Sequence, residues 1–182
     1  MASSAVTAIG NTLSPLNGER DNPVRGLPST AAIAGHPIHP MMIPYPVAFL
    51  TAAIATDVAA RRTGDPFWSR ASRWMLGAGI VGGLGAAVFG VIDYLTIERA
   101  REKRTGKLHA YGNPVALALA GASLAIRKDD QAPSTPATVL SALTAGLVMV
   151  TGWAGAELSY RHMVGVVGHD DQHDHAEKQT VS

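Results

Sequence analysis

Residues 75–95 read MLGAGIVGGLGAAVFGVIDYL, and the reading of this stretch decides the fold. Its single charge is Asp93, near the far end. A helix needs about 20 residues to cross the hydrocarbon core of a bilayer. A helix on the surface of a soluble bundle would show charge on its outer face every turn or so. The stretch also holds six glycines: Gly77, Gly79, Gly82, Gly83, Gly85 and Gly90. In water so many would weaken a helix. In lipid, small residues four apart let helix backbones approach closely. Gly79, Gly83 and Ala87 form one such stripe, and Gly82, Ala86 and Gly90 form another. The segment reads as a membrane helix packed against neighbours.

Three more stretches share this character: Met41–Ala60, Leu108–Ile126 and Thr138–Leu158. Across all four the only charges are Asp57, Asp93 and Glu157, so every other charged residue of the chain lies outside them. The predicted fold is all-α, a four-helix transmembrane bundle with disordered tails at both ends. The expected membrane domain is 35–167, with spans near 41–60, 75–95, 108–126 and 138–158. Residues 1–34 read as a disordered tail, rich in proline and polar residues, and 168–182 as a His/Asp-rich disordered tail. The sequence GDPFWSRASRW reads as a loop after the first span, with Trp68 and Trp74 at headgroup depth. In the third span, either Asn113 and Pro114 begin the regular helix or the helix kinks there.

Composition excludes several chemistries. Cysteine is absent, so there is no disulfide, Cys-ligated zinc, iron–sulfur cluster, c-type haem attachment or cysteine nucleophile. A formal net charge of +1 gives no field to draw the chain to nucleic acid. The opening MASSAVTAIGNTLSPLNGER lacks the basic start and long apolar run of a secretory signal, so insertion is expected to be led by the first span. GAGIVGG is a literal G-x-G-x-x-G, but no strand precedes it, and close helix packing accounts for the same glycines. No P-loop or nucleophile-elbow serine is present, and no catalytic residues are expected.

Four spans put both termini and the second loop on one face, called side A here. Side A carries nine Lys and Arg against six on the other face. By the positive-inside rule side A is then cytoplasmic, in the inner (plasma) membrane. His36, His39, His109 and His162 all fall at side A, as do Asp93 and Glu157. Asp93 shares a helix face with Ala86 and Gly90, and His109 begins a face continued by Asn113, Ala116 and Ala120. Imidazoles and carboxylates meeting at a bundle rim can bind a metal ion or a b-type haem, or pass protons. The plainer reading is interfacial anchoring, with Asp57 paired to Arg61 and Glu157 to Arg161 four residues on. Prolines 37 and 40 favour an extended chain that separates His36 from His39 by about 9 Å. One of them is then a ligand and the other a support. The tail cluster from His169 to His175 reads as solvated.

The stretch HPIHPMMIPYPVAFLTAAIATD resembles the opening of an uncharacterised bacterial family of predicted membrane proteins. Members begin with a paired His-Pro motif and a proline-containing first span that ends near an aspartate. The resemblance continues through Gly90 and Asp93, through His109 and Asn113, and into GWAGAELSYRHMVGV. Ala156 and His162 stand where the closing motif of the family has glycines. Some members are joined to Rieske-type iron–sulfur domains, so the resemblance implies a redox setting; it implies no established activity.

These readings combine into one expectation: a small membrane redox component that binds a b-type haem or a metal ion at side A. His39 and His109 are the expected ligands, with His36 as alternate, and Asp93 and Asn113 as supports. Glu157 and His162 are the outer candidates. Expected partners are the lipid bilayer, a Rieske-type membrane redox protein and a second copy of the chain. Two other readings stay open: a structural subunit without cofactor, and a proton or ion transfer component using Asp93 and Glu157.

Overall fold

The computed structural model describes residues 26–166, and most of both expected tails lies outside this range. The segment before the first long helix starts with two short strands, β1 (Ala32–Ile33) and β2 (His36–Pro37), paired antiparallel. Ala34 (φ 49°) and Gly35 (φ 78°) form the turn between them. A two-residue hairpin of this hand needs positive φ at both central positions, which glycine meets without strain.

Among the described residues six helices follow: α1 (Ile38–Met42), α2 (Pro44–Thr63), α3 (Pro66–Thr96), α4 (Glu98–Glu102), α5 (Arg104–Ala125) and α6 (Thr135–Tyr160). Only Gly64 and Asp65 separate α2 from α3. Gly64 (φ 67°) ends α2 in the left-handed conformation, Asp65 accepts a 2.8 Å hydrogen bond from the Phe67 amide, and Pro66 opens α3. This is a compact stop–start signal. It makes Phe67–Trp74 helical, where the sequence pattern predicts a loop. The alternatives for the third span are also decided: α5 begins at Arg104, so Pro114 lies inside a helix and does not start one.

The four long helices form an antiparallel bundle. Helix α2 packs along α3 and α6, and α5 packs along α6 and α3, so the four close into a ring. Leu50, Ala53, Leu76, Ala116, Ala120 and Val148 make the apolar centre. Glycines set the spacing. A Cβ at Gly79 would lie 2.6 Å from Leu50 Cδ2, and one at Gly83 would lie 2.6 Å from Leu117 Cδ2. These two belong to one stripe of α3; in the other, a Cβ at Gly82 would lie 3.3 Å from Tyr45 Cβ, so both stripes meet neighbouring helices, as small residues do in lipid.

Polarity is arranged opposite to a water-soluble bundle. Buried positions include Asp57, Ser72, Ser123, Arg127, Ser141, Thr144 and Thr151, whereas Val81, Leu84, Val88, Leu143, Met149 and Trp153 face outward. An apolar exterior over a polar interior is what a lipid solvent selects, since lipid rewards outward hydrocarbon and punishes unpaired polar groups. The helical segments Ile38–Thr63, Pro66–Thr96 and Thr135–Tyr160 are each long and apolar enough to cross a membrane. Helix α5 completes the bundle but has a more polar start, with Arg104, Lys107, His109 and Asn113.

Candidate functional site

His39 lies in α1, just before α2, and His109 lies in the second turn of α5. Antiparallel packing brings them to the same end of the bundle. Their ring centres are 5.8 Å apart, edge to face at 86°. Each ring is fastened alike to the returning helix of its own hairpin. His39 Nδ1 donates to the Ala86 carbonyl of α3 at 2.8 Å, and His109 Nδ1 donates to the Thr151 carbonyl of α6 at 2.8 Å. A carbonyl oxygen only accepts, so in each neutral ring Nδ1 carries the proton and Nε2 keeps a lone pair. One turn beyond each carbonyl is a glycine. A Cβ at Gly90 would come within 2.8 Å of His39 Cε1, and one at Gly155 within 2.8 Å of His109 Cε1. Any side chain there would push on the ring.

Asn113 joins this centre. Its Nδ2 donates to His109 Nε2 at 3.2 Å, while its Oδ1 accepts from Thr151 Oγ1 at 2.7 Å. His109, Asn113 and Thr151 therefore close a loop of hydrogen bonds between α5 and α6.

Other residues expected at the site have different surroundings. The Asp93 carboxylate holds the N-terminal segment: it accepts from Ser29 Oγ at 2.8 Å, from the Thr30 amide at 3.0 Å and from the Ala31 amide at 3.3 Å. Its hydrogen bonds run to this strap and to neither histidine. His36 is exposed on β2. Glu157 pairs with Arg161 at 2.7 Å, as its spacing predicts. The His162 backbone carbonyl accepts from Arg99 at 3.0 Å, and close by the Leu27 amide donates to Met163. The tail histidines fall outside the described residues. Among the described residues, no group of three or more His, Asp or Glu side chains is placed to hold a metal ion.

At the other end of the bundle is a centre that the sequence reading missed. Asp57 is paired with Arg127, in place of the expected Arg61, at 2.6 and 2.7 Å. Ser72 donates to Asp57, and Arg127 donates to Ser72, Ser123 and Ser141. Arg61 turns outward to the Pro133 carbonyl. The network ties all four long helices together, with both charged side chains almost wholly buried.

The two ends are related by an internal repeat. His39 and His109 are 70 positions apart, as are Pro44 and Pro114, Leu50 and Ala120, Ala53 and Ser123, and Asp57 and Arg127. In the returning helices the offset is 65, matching Ser72 with Ala137, Leu76 with Ser141, Ala86 with Thr151 and Gly90 with Gly155. Both members are buried in the pairs Leu50/Ala120, Ala53/Ser123, Asp57/Arg127, Ser72/Ala137, Leu76/Ser141 and Ala86/Thr151. The bundle is two equivalent hairpins, α2–α3 and α5–α6, facing each other about an axis along the helices, a parallel repeat. The readable signal was His-x4-Pro at 39–44 and again at 109–114, with the charges Asp57 and Arg127 following the two histidines at the same interval.

Comparison with known families gives one match. A family model described as a predicted membrane protein (DUF2231) matches residues 35–168. No curated protein and no solved structure matches the chain.

Proposed function

The chain belongs to this DUF2231 family of predicted membrane proteins, and on that premise we propose that it is a small membrane redox component whose paired histidines bind a transition-metal ion or the iron of a b-type haem. The observation that carries the reading is the matched fastening of His39 and His109, with Nδ1–H held by a backbone carbonyl in each case. Ligating histidines characteristically donate the second ring nitrogen to such an acceptor, which fixes the ring and sharpens Nε2 as a donor. Separation supports the same reading. With nitrogen–metal bonds of about 2.0–2.1 Å, two imidazoles on one ion hold their centres at most about 6.4 Å apart. The observed 5.8 Å falls inside that reach. Imidazole pairs suit iron, copper, zinc and nickel. A bound iron or copper would supply one-electron transfer, with His39 and His109 as the residues that would hold it. A Rieske-type iron–sulfur protein is the redox partner this reading favours, and His36 is the alternate ligand at the rim.

Detergent-purified protein from a haem- and metal-replete host tests the proposal by its absorption spectrum and metal content. A stoichiometric cofactor is expected, lost in both His39→Ala and His109→Ala and kept in His173→Ala. Absence of any stoichiometric cofactor from the wild-type protein would refute it. The reading that then takes over is a structural subunit. One observation favours that reading: the His109–Asn113–Thr151 loop already joins α5 to α6 without a cofactor.

A further inference from the structure

The two half-sites match in their carbonyl and their glycine, yet differ at one position. Asn113 stands one turn after His109 and donates to its Nε2. The equivalent residue 70 positions earlier, one turn after His39, is Ile43. An aliphatic side chain has no proton to donate. Among the described residues, no hydrogen-bond donor reaches His39 Nε2. The repeat therefore presents one imidazole with an open lone pair and one whose lone pair is occupied.

The direction of the Asn113 amide is fixed by its surroundings. His109 Nδ1 must carry the proton because it faces a carbonyl, so Nε2 can only accept, and the Asn113 group facing it must be the NH2. The Asn113 oxygen is then aimed at Thr151 Oγ1, which donates to it at 2.7 Å. Reversing the amide would set an oxygen against a lone pair and an NH2 against the hydroxyl's donated proton.

We propose that Asn113 is a latch on the histidine pair: it occupies the lone pair of His109, leaves His39 as the open ligand, and must turn away before both imidazoles can hold one cation. This rests on the ligand reading of the pair given above. A cation arriving at the rim meets His39 first and recruits His109 only by breaking the Asn113 hydrogen bond. Asn113 is thus a positioning residue whose removal should tighten binding, whereas loss of a merely structural residue would weaken it. Its removal strands no buried hydroxyl, because Thr151 Oγ1 also reaches the Val148 carbonyl at 3.2 Å.

The test uses Cu2+ alone as probe, on the full-length chain in detergent with His169, His173 and His175 changed to alanine to remove tail binding. Affinity is measured by competition with a chelator, and the number of nitrogen ligands by electron paramagnetic resonance. Asn113→Leu should bind Cu2+ about tenfold more tightly than the parent, in keeping with release of one hydrogen bond. Both proteins should show two imidazole nitrogens, because in the parent the broken Asn113 hydrogen bond lowers affinity without changing the final ligand set. Asn113→Ala provides a second variant with the same expected direction. Adding His39→Ala to Asn113→Leu should abolish the gain. If Asn113→Leu and Asn113→Ala bind no more tightly than the parent while His39→Ala and His109→Ala each weaken binding, the site stands and the latch is wrong. If Cu2+ binding depends on neither histidine, the latch and the ligand reading fall together.

Discussion

Asp57 and Arg127, 70 positions apart in the chain, meet in a two-pronged ion pair whose side chains are 0% and 2% exposed. They occupy equivalent places in the two hairpins. Two acids or two bases there would repel across the axis, so this contact requires that the halves differ. Arg127→Leu leaves the Asp57 carboxylate buried without its cation. Breaking such a pair from one side costs about 3–5 kcal/mol, because the remaining charge is unpaired in a dry interior. Combining Asp57→Leu with Arg127→Leu should recover much of that loss. Unfolding in detergent measures all three variants, and a single substitution costing under about 1 kcal/mol would contradict the buried pair.

Gly83 and Gly77 make an internal comparison on α3. A Cβ at Gly83 would collide with Leu117, whereas one at Gly77 meets nothing within 4 Å. Gly83→Leu should therefore wedge α3 from α5 and destabilise the bundle by about 1–3 kcal/mol. Gly77→Ala should leave thermal stability in detergent unchanged. Equal behaviour of the two would mean that α3 does not use this face for packing.

Asp93 anchors the strap through Ser29, Thr30 and Ala31. Asp93→Ala removes every one of these hydrogen bonds at once. Amide exchange at Thr30 and Ala31 is expected to accelerate by about 5- to 30-fold, as a net loss of about 1–2 kcal/mol implies. Exchange in the middle of α2 and α6 should not change. Unaltered protection of the strap would show that the backbone hydrogen bonds of Leu27, which donates to the Met163 carbonyl and accepts from the Gly165 amide, hold it without Asp93.

Arg101 and Asp130 report on opposite ends of the bundle, and both are exposed. The chain has no cysteine, so Arg101→Cys and Asp130→Cys each introduce one unique thiol. In intact spheroplasts a membrane-impermeant maleimide should label one and spare the other. The apolar exterior further predicts that the protein stays with the membrane through an alkaline carbonate wash. Labelling of both thiols at equal rates, in membranes shown to be sealed, would contradict a bundle that spans the bilayer.

How much of this was legible depended on the range of each interaction. The charge-free stretches, the glycine stripes and the Glu157–Arg161 pair were readable because helical periodicity alone places residues three and four apart on one face. The Asn113–His109 hydrogen bond also joins residues four apart and lay within that reach. Local rules gave Asp57 a partner as well, Arg61, and there they failed. The choice of Arg127 depends on how far α2 and α5 are turned about their own axes, and that rotation is set by where Leu50 meets Gly79 and Leu117 meets Gly83. Asp93 shows the same thing at the other end, since the strap that precedes the first hairpin folds back to claim its carboxylate. The sequence by itself determined that four helices form, what solvent they face and which residue types they keep from it, because those follow from composition and from the pitch of a helix. Which buried polar group meets which was decided only when small residues let the helices close to contact, since a hydrogen bond or ion pair in a dry interior is fixed to within fractions of an ångström by packing that no single helix contains.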